Sequence, residues 1–271
     1  MSRKIIFLDI DGTLTESGTN EPPSSALWAI DRARAAGHYI FLCSGRCYGM
    51  LKALLQYNFD GVVASAGGYI VCGGEVIFDC PMEERQRKAA MALLKGNGVF
   101  RTVECLHDSY TDMEFREFLS RRGGTWLRHR ERTERNLNIR PMQEYRGQPV
   151  YKIVFMSPAF EQLTEPRRLL LPDFDFVVQE DKGRGYVQGE LINRKFDKGR
   201  AIKRVCECLK IPQEDSVAFG DSMNDREMLE SAGLGICMGN GSQELKRIAD
   251  DVCPSLREDG IRDAFLKHGL L

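Results

Sequence analysis

Apolar positions along the chain fall into two periods. Lys4–Leu8, Tyr39–Cys43 and Val62–Ser65 are short, nearly unbroken apolar runs early on, and Ser216–Phe219, Leu234–Cys237 and Val252-Cys253 repeat the pattern near the end. Runs of this length, rich in β-branched and aromatic residues, predict strands buried on both faces, as in a parallel sheet. Between them the period lengthens to that of a helix. Ser24–Ala35 carries Leu27, Ile30 and Ala33 and is stopped by Gly37, and helical spacing also covers Tyr48–Gln56, Phe196–Leu209, Asp225–Ser231 and Ser242–Ile248. Tyr69–Cys72 and Val76–Phe78 flank Gly73-Gly74, which predicts a hairpin. Strand, loop and helix in alternation predict an α/β fold, a doubly wound parallel sheet of Rossmann-like topology with helices on both faces.

The middle of the chain breaks this grammar. From Glu83 to Glu190 the strand-like runs Val150–Met156, Phe174–Val178 and Tyr186–Leu191 stand beside the Arg-rich stretch Arg128-His129-Arg130-Glu131-Arg132. This segment is mildly basic and its flanks mildly acidic. It predicts an α+β domain over 83–190 inserted into a core made of 1–82 and 191–271, with crossings near Cys80–Glu83 and Glu190–Phe196.

Composition narrows the picture further. The 271 residues are 42% hydrophobic and 28% charged with a net charge of −1, which argues against a disordered chain and against a dedicated nucleic-acid binder. No apolar run approaches the ~20 residues needed to cross a bilayer, and Asp9 follows the first strand too closely for a signal peptide. The nine cysteines are odd in number and lack C-x-x-C spacing, so they are expected to be reduced, packed thiols of a cytoplasmic protein, Cys43 and Cys47 included.

Four loops that follow strands or open helices carry the candidate chemistry. Asp9-Ile10-Asp11-Gly12-Thr13 places two carboxylates where the first strand runs out. They read either as an acidic turn, or as one group that ligates a metal or attacks phosphorus beside a second that manages a proton. Ser44-Gly45-Arg46 offers a hydroxyl and backbone N–H groups, an anion-binding corner or simply an N-cap. Lys198 opens a helix where the macrodipole disfavours a cation, so it reads as a point charge for phosphate or as a solvated side chain. Gly220-Asp221-Ser222-Met223-Asn224-Asp225 follows another apolar strand, and an Asp there can share a hard cation with Asp9. In an open α/β sheet such loops share one crevice.

The ordered set Asp9-x-Asp11-Gly12-Thr13, Ser44-Gly45-Arg46, Lys198-Gly199 and Gly220-Asp221-Ser222-x-Asn224-Asp225 resembles the haloacid dehalogenase-like hydrolases. The match is to Cof-type phosphatases with a C2B-type cap inserted between the second and third motifs. Met238-Gly239-Asn240-Gly241 and Glu258-Asp259-Gly260 resemble the closing loops of that family, and Glu190 the acidic position that ends its cap.

The resemblance implies that Asp9 is the nucleophile of an aspartyl-phosphate mechanism and Asp11 the general acid and base. It implies Mg²⁺ on Asp9, the backbone carbonyl of Asp11 and Asp221, with Asp225 behind or through water. Ser44, Gly45, Lys198, Asn224 and the amides of Ile10 and Asp11 would then hold the phosphoryl oxygens, and the cap would select a small phosphorylated metabolite. Two positions depart from the family pattern. Ala66-Gly67-Gly68 stands where Asn-Gly-Ala is usual, and Ser44 where Thr is commoner.

The rival expectations are a phosphosugar mutase, a sucrose- or mannosylglycerate-phosphate type of phosphatase, and a non-catalytic phosphate sensor on the same fold. The Gly-Gly-Asn-Asp motif of mutases is absent, and an intact nucleophile and proton shuttle are superfluous in a sensor. A dinucleotide-binding dehydrogenase is rejected because no G-x-G-x-x-G follows the first strand. Arg128–Arg135, interleaved with Glu131 and Glu134, reads as a solvated face rather than an anion grip.

Overall fold

The structure is a computed structural model that describes residues 2–121, 128, 131, 134–135, 137–179 and 185–271. The chain forms two compact units, one made of the segments up to Asp79 and from Phe196 to Leu271, the other of Cys80–Lys195.

The first unit is built on an eight-stranded sheet. Its strands are β1 (Ile5–Leu8), β2 (Tyr39–Cys43), β3 (Gly61–Ala64), β4 (Tyr69–Cys72), β5 (Glu75–Asp79), β12 (Ser216–Gly220), β13 (Leu234–Cys237) and β14 (Asp251–Val252). They lie in the order β14-β13-β12-β1-β2-β3-β4-β5. The six strands from β14 to β3 are parallel, and β4 and β5 extend the sheet as an antiparallel hairpin. Every residue of β1, β3 and β12 is buried, which is why these strands read as continuous apolar runs.

Successive side chains serve opposite faces. Ile5 and Phe7 pack with Ile202 and Val205 of the helix Lys198–Leu209 and with Met228 and Leu245 of the two helices that follow it. Phe219 instead meets Phe265 of the helix Gly260–Lys267, ring centroids 5.4 Å apart. The helix Ser24–Ala35 packs against Gly260–Lys267. β1 sits where the strand order reverses, between β2 and β12, so its carboxyl end opens at the switch point of the sheet.

The second unit has a six-stranded sheet of its own, made of β6 (Phe100–Cys105), β7 (Ser109–Thr111), β8 (Ile139–Pro141), β9 (Val150–Ser157), β10 (Phe174–Gln179) and β11 (Val187–Asn193). The order is β10-β11-β9-β6-β7-β8, antiparallel except for β7 with β8. Val103, Ile153, Phe155 and Leu191 form its core with Ala90 and Leu94 of the helix Glu84–Gly96 and Leu170 of the helix Thr164–Leu170.

Two expectations need correction. Tyr48–Gln56 is not an α-helix but two 3₁₀ turns, Tyr48–Leu51 and Leu55–Tyr57. The bonds Met50 N to Cys47 O and Leu54 N to Leu51 O are i to i+3, a register that buries Leu51 and Leu54 three residues apart. The face running to Arg135 is not uniformly solvated either. Arg128 and Arg135 are exposed, but Glu134 is buried and takes a 2.8 Å bond from Nε of Arg116; His129, Arg130 and Arg132 lie outside the described residues. Among the described residues no helix is long and apolar enough to cross a membrane.

Candidate active site

The site is assembled at the carboxyl ends of β1 and β12. Asp9, the residue after β1, donates its amide to Phe219 O at 3.0 Å, so its carboxylate is carried out of the sheet at a fixed height and is buried. The chain then turns through Gly12 at φ +93°. A Cβ on that glycine would stand 2.3 Å from Oδ2 of Asp221, so both the backbone angle and the approach of the second acidic loop require glycine there. Asn240 closes the same corner. Its Nδ2 donates to Gly12 O at 2.7 Å, and its Oδ1 accepts from Leu256 N at 2.9 Å.

Lys198 lies at the centre. Asp197 caps its helix by accepting from Arg200 N at 2.7 Å. The Lys198 side chain is buried, with Nζ 2.7 Å from Asp9 Oδ1 and 2.5 Å from Asp225 Oδ1. The solvated reading of this residue is thereby overturned. Burial works against its charge, but the carboxylates of Asp225 and Asp9 outweigh it and hold the ammonium well above the ordinary lysine range. Burial, joined by the negative charge of Asp225, pushes Asp9 well above the usual carboxylate range despite Lys198.

Asp225 is fully buried, and its second oxygen accepts the amides of Asp221 at 3.0 Å and Ser222 at 3.2 Å. It therefore ties the acidic loop to the lysine. Asp9, Asp221 and Asp225 each bring a carboxylate oxygen within 4.8 Å of the others. Three carboxylates facing one ammonium leave the cluster net negative. A hard, oxygen-only donor set of that charge fits a divalent cation of the Mg²⁺ kind.

The other expected residues occupy the rim. Ser44 is buried, and its Oγ accepts from Arg46 N at 3.1 Å, a turn rather than an α-helical N-cap. Gly45 is half-buried beside it, Ile10 is buried in the first loop, and Asn224 Oδ1 accepts from Ser222 Oγ at 2.8 Å. The Ser44 loop is knitted to the end of β3 by Ser65 N to Arg46 O at 2.8 Å and Ala66 N to Ser44 O at 2.9 Å. Ser65 and Ala66 both take left-handed angles there, φ +50° and +57°. Cys43 is buried next to this centre, and burial pushes its thiol strongly up, which makes it an inert packing group.

Asp11 is held by a residue to which the sequence reading gave no role. Arg46 donates from Nε to Oδ2 and from Nη2 to Oδ1, both at 2.7 Å, and Gly18 N adds 2.7 Å to Oδ1. Burial raises the Asp11 carboxyl, but the bonds and charge of Arg46 prevail and hold it below the usual range. The signal for Arg46 was its place directly after Ser44-Gly45, since an arginine there lies within reach of the first acidic loop across neighbouring strands.

A buried lysine between carboxylates, beside a cation-type donor set at a switch point, suits the transfer of a phosphoryl group. The class it defines is a hydrolase of phosphoric esters. Comparison with known proteins agrees. A family described as haloacid dehalogenase-like hydrolase matches residues 6–265, and the chain belongs to that family.

YkrA of Bacillus subtilis (strain 168) is similar at 29% identity over the full length of both chains. The 5-amino-6-(5-phospho-D-ribitylamino)uracil phosphatase YwtE of the same organism is 27% identical over 95% of each chain. The solved structure of BT4131, titled a subclass IIB sugar phosphatase, superposes with a TM-score of 0.80 at 25% identity, covering 99% of this chain and 100% of its own.

Proposed function

We propose that the protein is a Mg²⁺-dependent phosphatase that hydrolyses small, polyhydroxylated phosphomonoesters in the cytoplasm through phosphorylated Asp9. The observation that carries this reading is the convergence of Asp9, Asp221 and Asp225 around buried Lys198. Asp9 and Asp221, with the Asp11 backbone carbonyl, would hold the cation, and Asp225 would fix their loop. When bound, the cation supplies positive charge against the phosphoryl oxygens and keeps Asp9 ionised.

The steps belong to the chain's own residues. Asp9 attacks phosphorus, and Asp11 gives a proton to the departing oxygen and later takes one from the attacking water. Lys198, the Ser44 hydroxyl, Asn224 and the amides of Ile10 and Gly45 bind the phosphoryl oxygens; positioning and charge neutralisation supply most of the rate in such reactions. The inserted unit is assigned the selection of the organic group. The polyol preference is supported by the sugar and ribityl phosphates named for BT4131 and YwtE.

The experiment is phosphate release from a panel of sugar, polyol, nucleotide and cofactor phosphates, with Mg²⁺ and then with EDTA, beside Asp9→Asn. Release that needs the metal and vanishes in the variant is the expected outcome. Release unaffected by either change would refute the reading, and silence on every ester would turn attention to the mutase or sensor alternatives.

A further inference from the structure

Among the described residues each sheet has two edge strands, and three of the four edges are guarded. β14 is two residues long, and β8 ends in Pro141 beside exposed Arg140. β5 begins and ends in exposed acids, Glu75 and Asp79, and its register with β4 is irregular. Such devices keep a strand edge from pairing with another chain. β10 lacks them. Its six residues run in unbroken register beside β11, and Phe176, Val177 and Val178 are apolar in succession. Asp175, the single charged residue of the strand, is already taken up by Arg194 at 2.9 Å.

The phase of the hydrogen bonds decides which groups of β10 face outward. Arg194 N donates to Asp173 O at 3.1 Å, and the register continues with Asp175 opposite Ile192 and Val177 opposite Glu190. In an antiparallel pair, residues that bond across it alternate with residues whose N–H and C=O point the other way. Asp175 and Val177 therefore bond to β11, and the backbone groups of Phe176 and Val178 point out of the sheet. The Phe174 carbonyl shares that phase, but Nε of Arg194 donates to it at 3.3 Å. What stays open is a short ladder at Phe176 and Val178, where the valine is 40% exposed.

We propose that β10 is the docking edge for a second copy of this chain, the two β10 strands pairing antiparallel about a two-fold axis at Val177. The strand itself selects this occupant. With the axis there, Phe176 faces Val178 of the second copy and Val178 faces its Phe176. Each of these pairs exchanges two hydrogen bonds, so every outward N–H and C=O of both residues is satisfied. An axis normal to the sheet keeps paired residues on one face. Phe176 and Val178 share the face on which Phe176 packs with the apolar core, and Val177 meets Val177 on the other. The two Asp175 residues fall four positions apart along the seam. Moving the axis to Phe176 would need the carbonyl that Arg194 covers and would bring those aspartates within two positions of each other. About 20 Å of paired strand is a small contact, so the dissociation constant is expected in the range of about 1–100 μM.

Sedimentation velocity of the full chain from about 1 to 300 μM tests the proposal. The wild type is expected to pass from monomer to dimer across that range. Val178→Pro removes an outward N–H and none that β11 uses, a position where an edge strand tolerates proline. Val178→Lys puts a charge on the seam. Each is expected to weaken association by at least about 10-fold. If Val178→Pro does not fold by circular dichroism, Val178→Lys decides.

A cysteine at the axis reads the register. Val177 facing Val177 is a non-hydrogen-bonded pair with Cα atoms about 4.5 Å apart, within reach of a disulfide. Under air with a copper catalyst, where two thiols become a disulfide as oxygen is reduced, Val177→Cys is expected to give covalent dimer faster than Val178→Cys, whose counterpart across the seam is Phe176. The wild type measures the background from exposed Cys208. A wild type monomeric throughout, a dimer that the folded Val178 variants leave undiminished, or cross-linking no faster at 177 than at 178 would overturn the proposal. None of these readouts depends on the phosphatase reading.

Discussion

Lys198→Met is the perturbation that most directly probes how the centre is held together. The ammonium is 2.7 Å from one carboxylate and 2.5 Å from another, and its side chain is 1% exposed. Methionine fills nearly the same space, so packing is kept and the loss is of charge and two hydrogen bonds. Taking one partner from a buried ion pair costs about 3–5 kcal/mol, because the charges left behind are uncompensated. For a protein of this size each kcal/mol is worth about 2–4 °C, so the melting temperature in EDTA falls by roughly 6–20 °C.

The same carboxylates can be neutralised by a divalent cation, which binds the native state and not the unfolded chain. Millimolar Mg²⁺ therefore raises the melting temperature of the variant by more than that of the wild type. Scanning calorimetry of both proteins with EDTA and with Mg²⁺ measures all four values. A variant that melts within about 2 °C of the wild type in EDTA, or that gains no more than the wild type from Mg²⁺, would refute the view that Lys198 neutralises the cluster a cation shares.

Other consequences are equally accessible. Gly12→Ala places a methyl carbon 2.3 Å from Asp221 Oδ2 at a φ of +93°, so it displaces the second acidic loop; kcat/KM is expected to fall about 100-fold, and kinetics with a Mg²⁺ titration would show it. Ala66→Gly is expected to stabilise by about 0.5–1 kcal/mol, since relief of a left-handed alanine exceeds the added chain entropy, and a lowered urea midpoint would contradict that. Asp251 is partly buried, which raises its carboxyl, but bonds from Lys267 and His268 win and hold it below the usual range. Its folded value is the depressed one, so its stabilisation is present above the unfolded value of about 3.9 and is lost as pH falls through the folded one. Asp251→Asn should therefore lower the urea midpoint at pH 7 and leave it unchanged near pH 2.

The parts legible in the sequence were those where one physical demand dominates. β1, β2, β12 and β13 are buried on both faces and so read as plain apolar runs, and the helix Ser24–Ala35 announces its end with Gly37. The acidic loops were legible because each follows such a run directly. The inserted unit was harder, because its sheet buries charges that a polarity pattern assigns to solvent. Arg101 of β6 is paired with Asp112 at 2.8 Å, and Lys152 of β9 with Glu190 of β11 at 2.7 Å. With these in the strands the alternation is lost, and β6 went unseen, as did the helices Glu84–Gly96 and Gly260–Lys267.

Two features of the candidate site were illegible for other reasons. The grip of Arg46 on Asp11 spans thirty-five positions and depends on β1 and β2 being neighbours, which no linear pattern reveals. The left-handed pair Ser65-Ala66 contains no glycine, so its conformation is set by tertiary bonds alone.

The central claim is that Asp9 takes the phosphoryl group, and the most direct measurement is to catch it there. Protein mixed with its best ester and Mg²⁺, quenched in acid within milliseconds and digested, is examined by mass spectrometry for the peptide containing Asp9. The account predicts one added phosphoryl group on that peptide in the wild type and its absence from Asp9→Asn. Turnover of the ester with no phosphorylated Asp9 at any quench time, or undiminished turnover by Asp9→Asn, would contradict it.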